Sequence, residues 1–362
     1  MDLQPSDNQQ LLRQALDGYL ARNLPFDRRR GQDAGAMLAF WNELRGELGV
    51  AGAGLPEAVG GFGGGAQEEM IVAAALGRSL AVTPYVDCFV LAGHALLALG
   101  QAATVARIAD GSLLAVLAVE EAQTRGDISA IEAAAGPIDG GWRLHGRKLA
   151  VPFAAQAELL LIPARIGEDF ALFAAGTEQM AQALRPYRLI DDTPAGDLLL
   201  DGIELRDAAL IARGTEVLPA LQSAIDRATA AICGEASGHA EVMVADTVAY
   251  ANERKQFGQP LAAFQALQHR MVDMYIASEQ ISAAALLAAL KVDDPAAVSA
   301  AKATVGEALR LIGQEAVQLH GAMGLTEELR VGHYFKRATV IENRLGTADL
   351  HIDRYATARL AR

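Results

Sequence analysis

The chain has 362 residues, 52% hydrophobic and 5% aromatic, with 31 Lys and Arg against 44 Asp and Glu. That length supports two or three domains around a large core, and the alanine-rich composition favours packed helices over a fibrous or disordered chain. A net charge of −13 argues against nucleic acid or an anionic membrane as the main partner. The apolar runs fall short of the ~20 residues that cross a bilayer. Cys88 and Cys233 have no metal-type spacing and no disulfide framework. The opening Met1-Asp2-Leu3-Gln4-Pro5-Ser6-Asp7 is acidic and polar, unlike a secretion signal, so a reducing cytoplasm is expected.

Residues 1–112 read as a helical domain. Leu11, Leu12, Ala15 and Tyr19 recur at helical spacing behind a cap at Ser6 or Asp7. The glycine-rich stretch from Leu55 to Gly65 reads as a flexible loop before a helix carrying Met70, Ala73, Ala74 and Leu80. No strand precedes that loop and no P-loop lysine follows it, so a plain loop is preferred to a phosphate cradle. Residues 113–212 change character. Short apolar runs at Leu113–Val119, Leu159–Ile162 and Leu198–Leu205, with turn signals at Asp139-Gly140-Gly141 and Asp201-Gly202, predict a β-barrel or sandwich with no parallel sheet. Residues 213–362 are helical again. Leu221, Ile225, Ala228 and Ile232 mark one helix. Met271, Met274, Tyr275 and Ile281 mark a second, and Val298, Val305, Leu309, Ile312 and Ala316 a third. A fourth runs from about Ala348 to Leu360, completing a four-helix bundle. The fold class is α+β, multi-domain.

Three stretches carry chemistry. In Arg254-Lys255-Gln256-Phe257-Gly258, an arginine at a helix end can fork two hydrogen bonds to a pyrophosphate, an aromatic can pack on a flat ring, and glycine lets the backbone come close. Gln265 adds a donor and an acceptor. Gln318-Leu319-His320-Gly321-Ala322-Met323-Gly324 forms a second turn after a helix. Arg344-Leu345-Gly346-Thr347-Ala348-Asp349 forms a third. His269, His320, His333 and His351 are scattered without paired metal-ligand spacing, so no metal site is expected. Met271, Met274 and Met323 read as core filler.

These stretches resemble the acyl-CoA dehydrogenase family across essentially the whole chain, most specifically from residue 250 onward. The resemblance implies FAD as cofactor, held by Arg254, Phe257, Gln265, Gln318, His320, Gly321, Thr347 and Asp349, with the ADP part of the flavin lying across a subunit interface. It implies an α,β-desaturation of an acyl-CoA thioester with an electron-transfer flavoprotein as acceptor. The same resemblance exposes a gap. Leu345 stands where many members carry the catalytic glutamate, and leucine cannot take a proton. In some relatives the base sits 26 residues before the signature arginine; that position is Ala228. Asp226 lies two residues away, about 200° around a helix, and is a weak candidate base. The flavin-ring loop (119–127) and the following Val151-Pro152-Phe153-Ala154 also depart from the family pattern.

The chain therefore resembles the small subunits of pimeloyl-CoA dehydrogenases and of the α2β2 enzymes that shorten steroid side chains. That implies a homologous large subunit as partner and a place in lipid or steroid degradation. An active homo-oligomer with a displaced base and a scaffold without flavin remain open alternatives.

Overall fold

The computed structural model describes residues 4–360. Residues 1–3 of the polar N-terminal stretch and the last two residues lie outside them. The N-terminal helices are α1 (Asp7–Asn23), α2 (Phe26–Arg30), α3 (Ala34–Leu48), α4 (Ala66–Arg78), α5 (Gly93–Ala98) and α6 (Ala102–Ala109). Ser6 caps α1: its hydroxyl accepts from the Gln9 amide while the Gln9 side chain accepts from the Ser6 amide, a reciprocal capping box. The buried face of α1 is Leu16 and Leu20, not the Leu11–Ala15 stripe that spacing suggests; Leu11 points to solvent. With only two large buried positions, the period of this helix is weakly written.

The middle of the chain forms β1 (Ala115–Leu117), β2 (Ala134–Ile138), β3 (Gly141–His145), β4 (Arg147–Pro152), β5 (Leu159–Ile166), β6 (Asp169–Gly176), β7 (Leu184–Arg188), β8 (Pro194–Leu199), β9 (Ile203–Arg206) and β10 (Leu210–Arg213). One sheet runs β10-β6-β5-β2-β3-β9, with β1 also pairing β5, and a second runs β4-β8-β7. Neither closes on itself, so the arrangement is two open sheets rather than a barrel. The expectation of no parallel pairing is also corrected. β1 lies parallel to β5, and β2 meets it in parallel at Ala134 and Arg165. All three β1 residues and most of β5 are buried, and parallel pairing suits strands covered on both faces.

The C-terminal part holds α7 (Val217–Glu253), a short hairpin of β11 (Lys255–Gln256) and β12 (Gln259–Pro260), then α8 (Gln265–Leu290), α9 (Pro295–His320), α10 (Arg330–Asn343) and α11 (Ala348–Leu360). The four expected helices are present, and α10 is a fifth. In α8 the expected core position Tyr275 is exposed, as is Met323 after α9.

Compactness divides the chain into two discontinuous units. The first comprises 1–32, 66–81 and 229–362; the second comprises 33–65 and 82–228. Within the first, α9 packs against α8, α10 and α11. There α4 meets α7 at close range, because Gly77, Gly234 and Gly238 leave no side chain between the backbones. A Cβ on Gly238 would lie 2.1 Å from the Ala74 carbonyl oxygen. The buried Glu235 carboxylate on α7 takes two hydrogen bonds from Arg337 on α10, at 2.7 and 2.9 Å. Burial works to raise its pKa, but Arg337 outweighs that and holds it below the ordinary carboxylate value.

Within the second unit, Trp41, Tyr85 and Phe89 form an aromatic cluster with ring centroids 5.2–6.2 Å apart. The glycine-rich loop is folded rather than open. Its amides at Gly61, Phe62 and Gly63 donate to the carbonyls of Pro56, Gly52 and Leu55, so these three are committed within the loop. Cys88 and Cys233 are both buried free thiols, pushed up to about 12 by burial. Among the described residues no helix is long and apolar enough to cross a membrane, and no group of three or more His, Cys, Asp or Glu could hold a metal.

Gly238→Ala should destabilise the protein by about 1–3 kcal/mol through overpacking, despite the better helix propensity of alanine. Urea unfolding measures this directly. An unchanged midpoint would mean that α4 and α7 part easily.

Candidate functional site

The first motif sits on a two-residue hairpin. α7 ends at Glu253, and the chain turns back through Phe257 and Gly258, both with positive φ (50° and 83°). Two successive positive φ values define the tight turn that matches strand twist. Gly258 accepts that geometry freely, whereas Phe257 carries a cost of about 1–2 kcal/mol. Its ring is 91% exposed and meets Phe264 edge-on at 6.3 Å. Among the described residues the exposed Arg254 guanidinium has neither hydrogen bond nor ion pair, and the Gln265 side chain has no hydrogen bond. Gln265 opens α8, whose N-terminus lacks a side-chain cap.

The second motif closes α9. Gly321 has φ 61° and ψ −144°, a region essentially reserved for glycine, and it starts the tight turn Gly321–Leu325. The Gln318 side chain is exposed and unbonded among the described residues. His320 is buried. Its Nδ1 donates to the Ala316 carbonyl at 2.8 Å, and its ring stacks on Tyr250 at 4.4 Å. The Tyr250 hydroxyl donates back to the His320 carbonyl at 3.3 Å. Tyr250 lies one helical turn before Arg254, so this pair pins the C-terminal ends of α7 and α9 together. The first two motifs thus meet at one end of their unit. Tyr250 was not singled out by sequence reasoning; only its spacing to Arg254 hints at it.

The third motif lies elsewhere. After α10, Leu345 and Gly346 take φ values of 55° and 104° before Thr347 leads into α11. Leu345 is buried, 4% exposed, while Asp349 faces solvent. The Gly346 carbonyl is bound by Lys302 of α9. Lys302 stands sixteen residues from Gln318, about 24 Å along a helix. Within one chain, therefore, Thr347 and Asp349 do not join Arg254 and Gln318.

At the usual base position this turn offers only a buried hydrocarbon. Asp226 lies in the second unit and is buried, and Ala228 is fully buried. Arg227 donates to the Gly54 carbonyl at 3.3 Å.

The 119–127 loop is anchored to β4 and to the segment before β2. The buried Glu121 carboxylate accepts from Lys148 Nζ at 2.6 Å, from Gln123 at 2.6 Å and from the amides of Glu132 and Ala133 at 2.8 and 3.2 Å. The Glu121 amide donates to Thr124 Oγ1 at 3.0 Å. Burial pushes the Glu121 carboxyl up, but Lys148 and the other donors prevail and leave it below the ordinary value. For Lys148, burial lowers the ammonium against the pull of Glu121. Sequence reasoning missed this pair, because nothing local marks a lysine in β4 as buried.

Residues 6–111 match "Acyl-CoA dehydrogenase, N-terminal domain" and residues 218–360 match "Acyl-CoA dehydrogenase, C-terminal domain". The chain is 30% identical to the acyl-CoA dehydrogenase IpdE2 of Mycobacterium tuberculosis over 344 residues, 92% of each protein. Among solved structures it is similar to the ChsE4-ChsE5 complex from Mycobacterium tuberculosis (TM-score 0.87, 25% identity, 100% of this chain and 99% of that one). It is also similar to the Tcur3481-Tcur3483 steroid ACAD (TM-score 0.86, 28% identity, 98% of each). The chain belongs to the acyl-CoA dehydrogenase family, oxidoreductases that act on the CH–CH bond of acyl-CoA.

Phe257→Asn keeps a residue that tolerates positive φ and removes an exposed ring. The stability of the isolated chain should hold or rise by up to about 1 kcal/mol, read from the thermal midpoint. A fall of similar size would mean that the Phe257 ring serves this chain's own packing.

Proposed function

We propose that this chain is the accessory subunit of a hetero-oligomeric acyl-CoA dehydrogenase. In this reading it completes an FAD site while a homologous large subunit supplies the base and grips the flavin ring. The observation that carries the proposal is the turn at Leu345: a buried leucine stands where a proton acceptor is required. The 119–127 loop supports it, since it departs from the family pattern and its Glu121, Thr124 and Asp127 amides donate within the loop. The ChsE4-ChsE5 complex and the Tcur3481-Tcur3483 steroid ACAD, each named for two components, support a partnered assembly. A steroid-derived or dicarboxylate thioester is the proposed acyl class, with an electron-transfer flavoprotein as acceptor. We place the assembly, an α2β2 tetramer, in a reducing cytoplasm, and read the chain as three domains, 1–112, 113–212 and 213–362.

The residues at the paired ends of α7 and α9 fit the ADP portion of FAD. Arg254 has an uncommitted fork of donors for a pyrophosphate. Gln265 and Gln318 offer free side-chain amides, Gly321 leaves open the space where a side chain would stand, and Phe257 gives an apolar cover. Thr347 and Asp349, about 24 Å away along α9, would meet a second dinucleotide or a different stretch of one held by a neighbour. His320 acts mainly by holding the two helix ends together. Bound FAD supplies the hydride acceptor; this chain binds and orients it.

Purifying the chain alone and with its large subunit, and recording the visible spectrum, tests the reading. Yellow only in the complex is expected. Yellow and active alone would favour a homo-oligomer with a displaced base, and colourless in both a scaffold. In the complex, Arg254→Ala removes a charge-assisted contact of about 1.5–3 kcal/mol, so FAD retention should fall about 10–150-fold. Unchanged retention would remove Arg254 from the site.

The isolated chain should show at most trace acyl-CoA dehydrogenation, since a general base contributes about 10²–10⁴-fold. Leu345→Glu alone should not restore turnover, because the ring-holding segments still depart from the family pattern. Substrate-dependent bleaching of flavin on the isolated protein, lost in Asp226→Asn, would instead make Asp226 the base.

A further inference from the structure

α9 buries an amine where its apolar stripe calls for a hydrocarbon. Lys302 lies between Val298 and Val305 and is fully buried. Its ammonium donates to the carbonyls of Ile341 at 3.1 Å, Glu342 at 2.9 Å and Gly346 at 3.0 Å. The first two belong to the last turn of α10, where carbonyls have no amide partner within the helix and the dipole is negative. The third belongs to the turn itself. His351 of α11 takes the neighbouring carbonyl: its Nε2 lies 2.9 Å from the Leu345 oxygen and its Nδ1 3.3 Å from Ser299 Oγ. A carbonyl only accepts, so Nε2 carries the proton, and burial pushes the ring's pKa down to about 4 and keeps it neutral.

We infer that Lys302 is the positioning residue for the Arg344–Thr347 turn, its three donated hydrogen bonds holding Leu345 and Gly346 in their left-handed form. That form needs an outside restraint. Leu345 has φ 55°, which the residue alone disfavours. Gly346 has no room for a side chain; a Cβ would lie 2.6 Å from Leu350 Cδ2 and 2.9 Å from His351 Nε2. The amine donates to these carbonyls, through three bonds when protonated and two when neutral, whereas methionine donates none. The charged or titratable groups around the amine are Cys233 on α7, Glu342 on α10 (paired with Arg310), Arg344 on the turn and His351 on α11. Burial lowers the Lys302 pKa to about 8, partly offset by Cys233 and Glu342. The link from this turn to flavin, through Thr347 and Asp349, rests on the proposed function; the cage does not.

The sign of the pH effect follows. In water the amine titrates near ~10.4. Between about 8 and that value an opened turn holds the proton that the closed turn has released. Closure is therefore favoured as pH rises through this window.

Amide hydrogen exchange on the full chain, corrected for intrinsic rates, compares wild type with Lys302→Met. The variant should exchange about 10–150-fold faster at residues 344–347, with the rest of α9 unchanged. In wild type, protection of the same amides should rise from pH 8 toward 10, and the variant should be flat. An unchanged turn, or acceleration spread evenly over the bundle, would overturn the assignment. Should the variant fail to fold, Lys302→Gln, which has a shorter reach and only two donors, decides: exchange at residues 344–347 no faster than in wild type would overturn it. FAD retention in the complex is the second arm. A loosened turn with unchanged retention would uphold the cage and remove Thr347 and Asp349 from the flavin site.

Discussion

A charge taken out of water is tolerated only where its partners are fixed, and this chain uses that constraint to place backbone that apolar packing leaves undefined. Lys302 ties α9 to the end of α10 and to the turn beyond it. Glu235 and Arg337 tie α7 to α10. Glu121 and Lys148 tie a long loop to β4. Each joins segments far apart in sequence; Lys302 and Glu121 act where the chain leaves a helix or strand, while Glu235 and Arg337 join two helices along their length. The apolar stripes decide which faces turn inward; the buried charges decide how the connecting segments lie.

The surface end formed by α7 and α9 has the opposite character. There the side chains of Arg254, Gln265 and Gln318 have no hydrogen-bond partners among the described residues, and Phe257 stands in solvent in a backbone conformation it disfavours. Free polar groups and a strained exposed aromatic cost stability without return inside one chain. Such outliers gather at functional sites. The contrast gives the proposed role its physical sense: the Glu121 carboxylate and three amides of the 119–127 loop are satisfied internally, while the side chains suited to a dinucleotide are left open.

The motif residues were legible because helix ends and glycine turns are local. Arg254, Phe257-Gly258 and Gln318-Gly321 stand at chain reversals marked by Pro260 and by glycine, and the structure places them at such reversals. α11 runs over the expected Ala348–Leu360, and Leu221, Ile225, Ala228 and Ile232 are all buried on α7. Less legible was α1, whose stripe was misplaced by one face. Spacing also misread Tyr275 and Met323, because an apolar residue at helical period does not reveal whether a neighbour covers it. Lys302 was missed although a lysine between Val298 and Val305 interrupts an apolar stripe. That interruption could have marked it.

The sequence by itself determined the order of helical and β segments, the helix ends that carry the motifs, and the absence of a carboxylate at position 345. These depend on residue type and short-range spacing. Only the tertiary structure decided that the sheets are open and partly parallel, since strand partners are chosen across long loops. It alone joined the ends of α7 and α9 through Tyr250 and His320, and set the Thr347 turn at the far end of α9. It also found acceptors for Lys302 some forty residues ahead. Those outcomes depend on which distant groups a folded chain brings within hydrogen-bonding reach, and local spacing does not encode that.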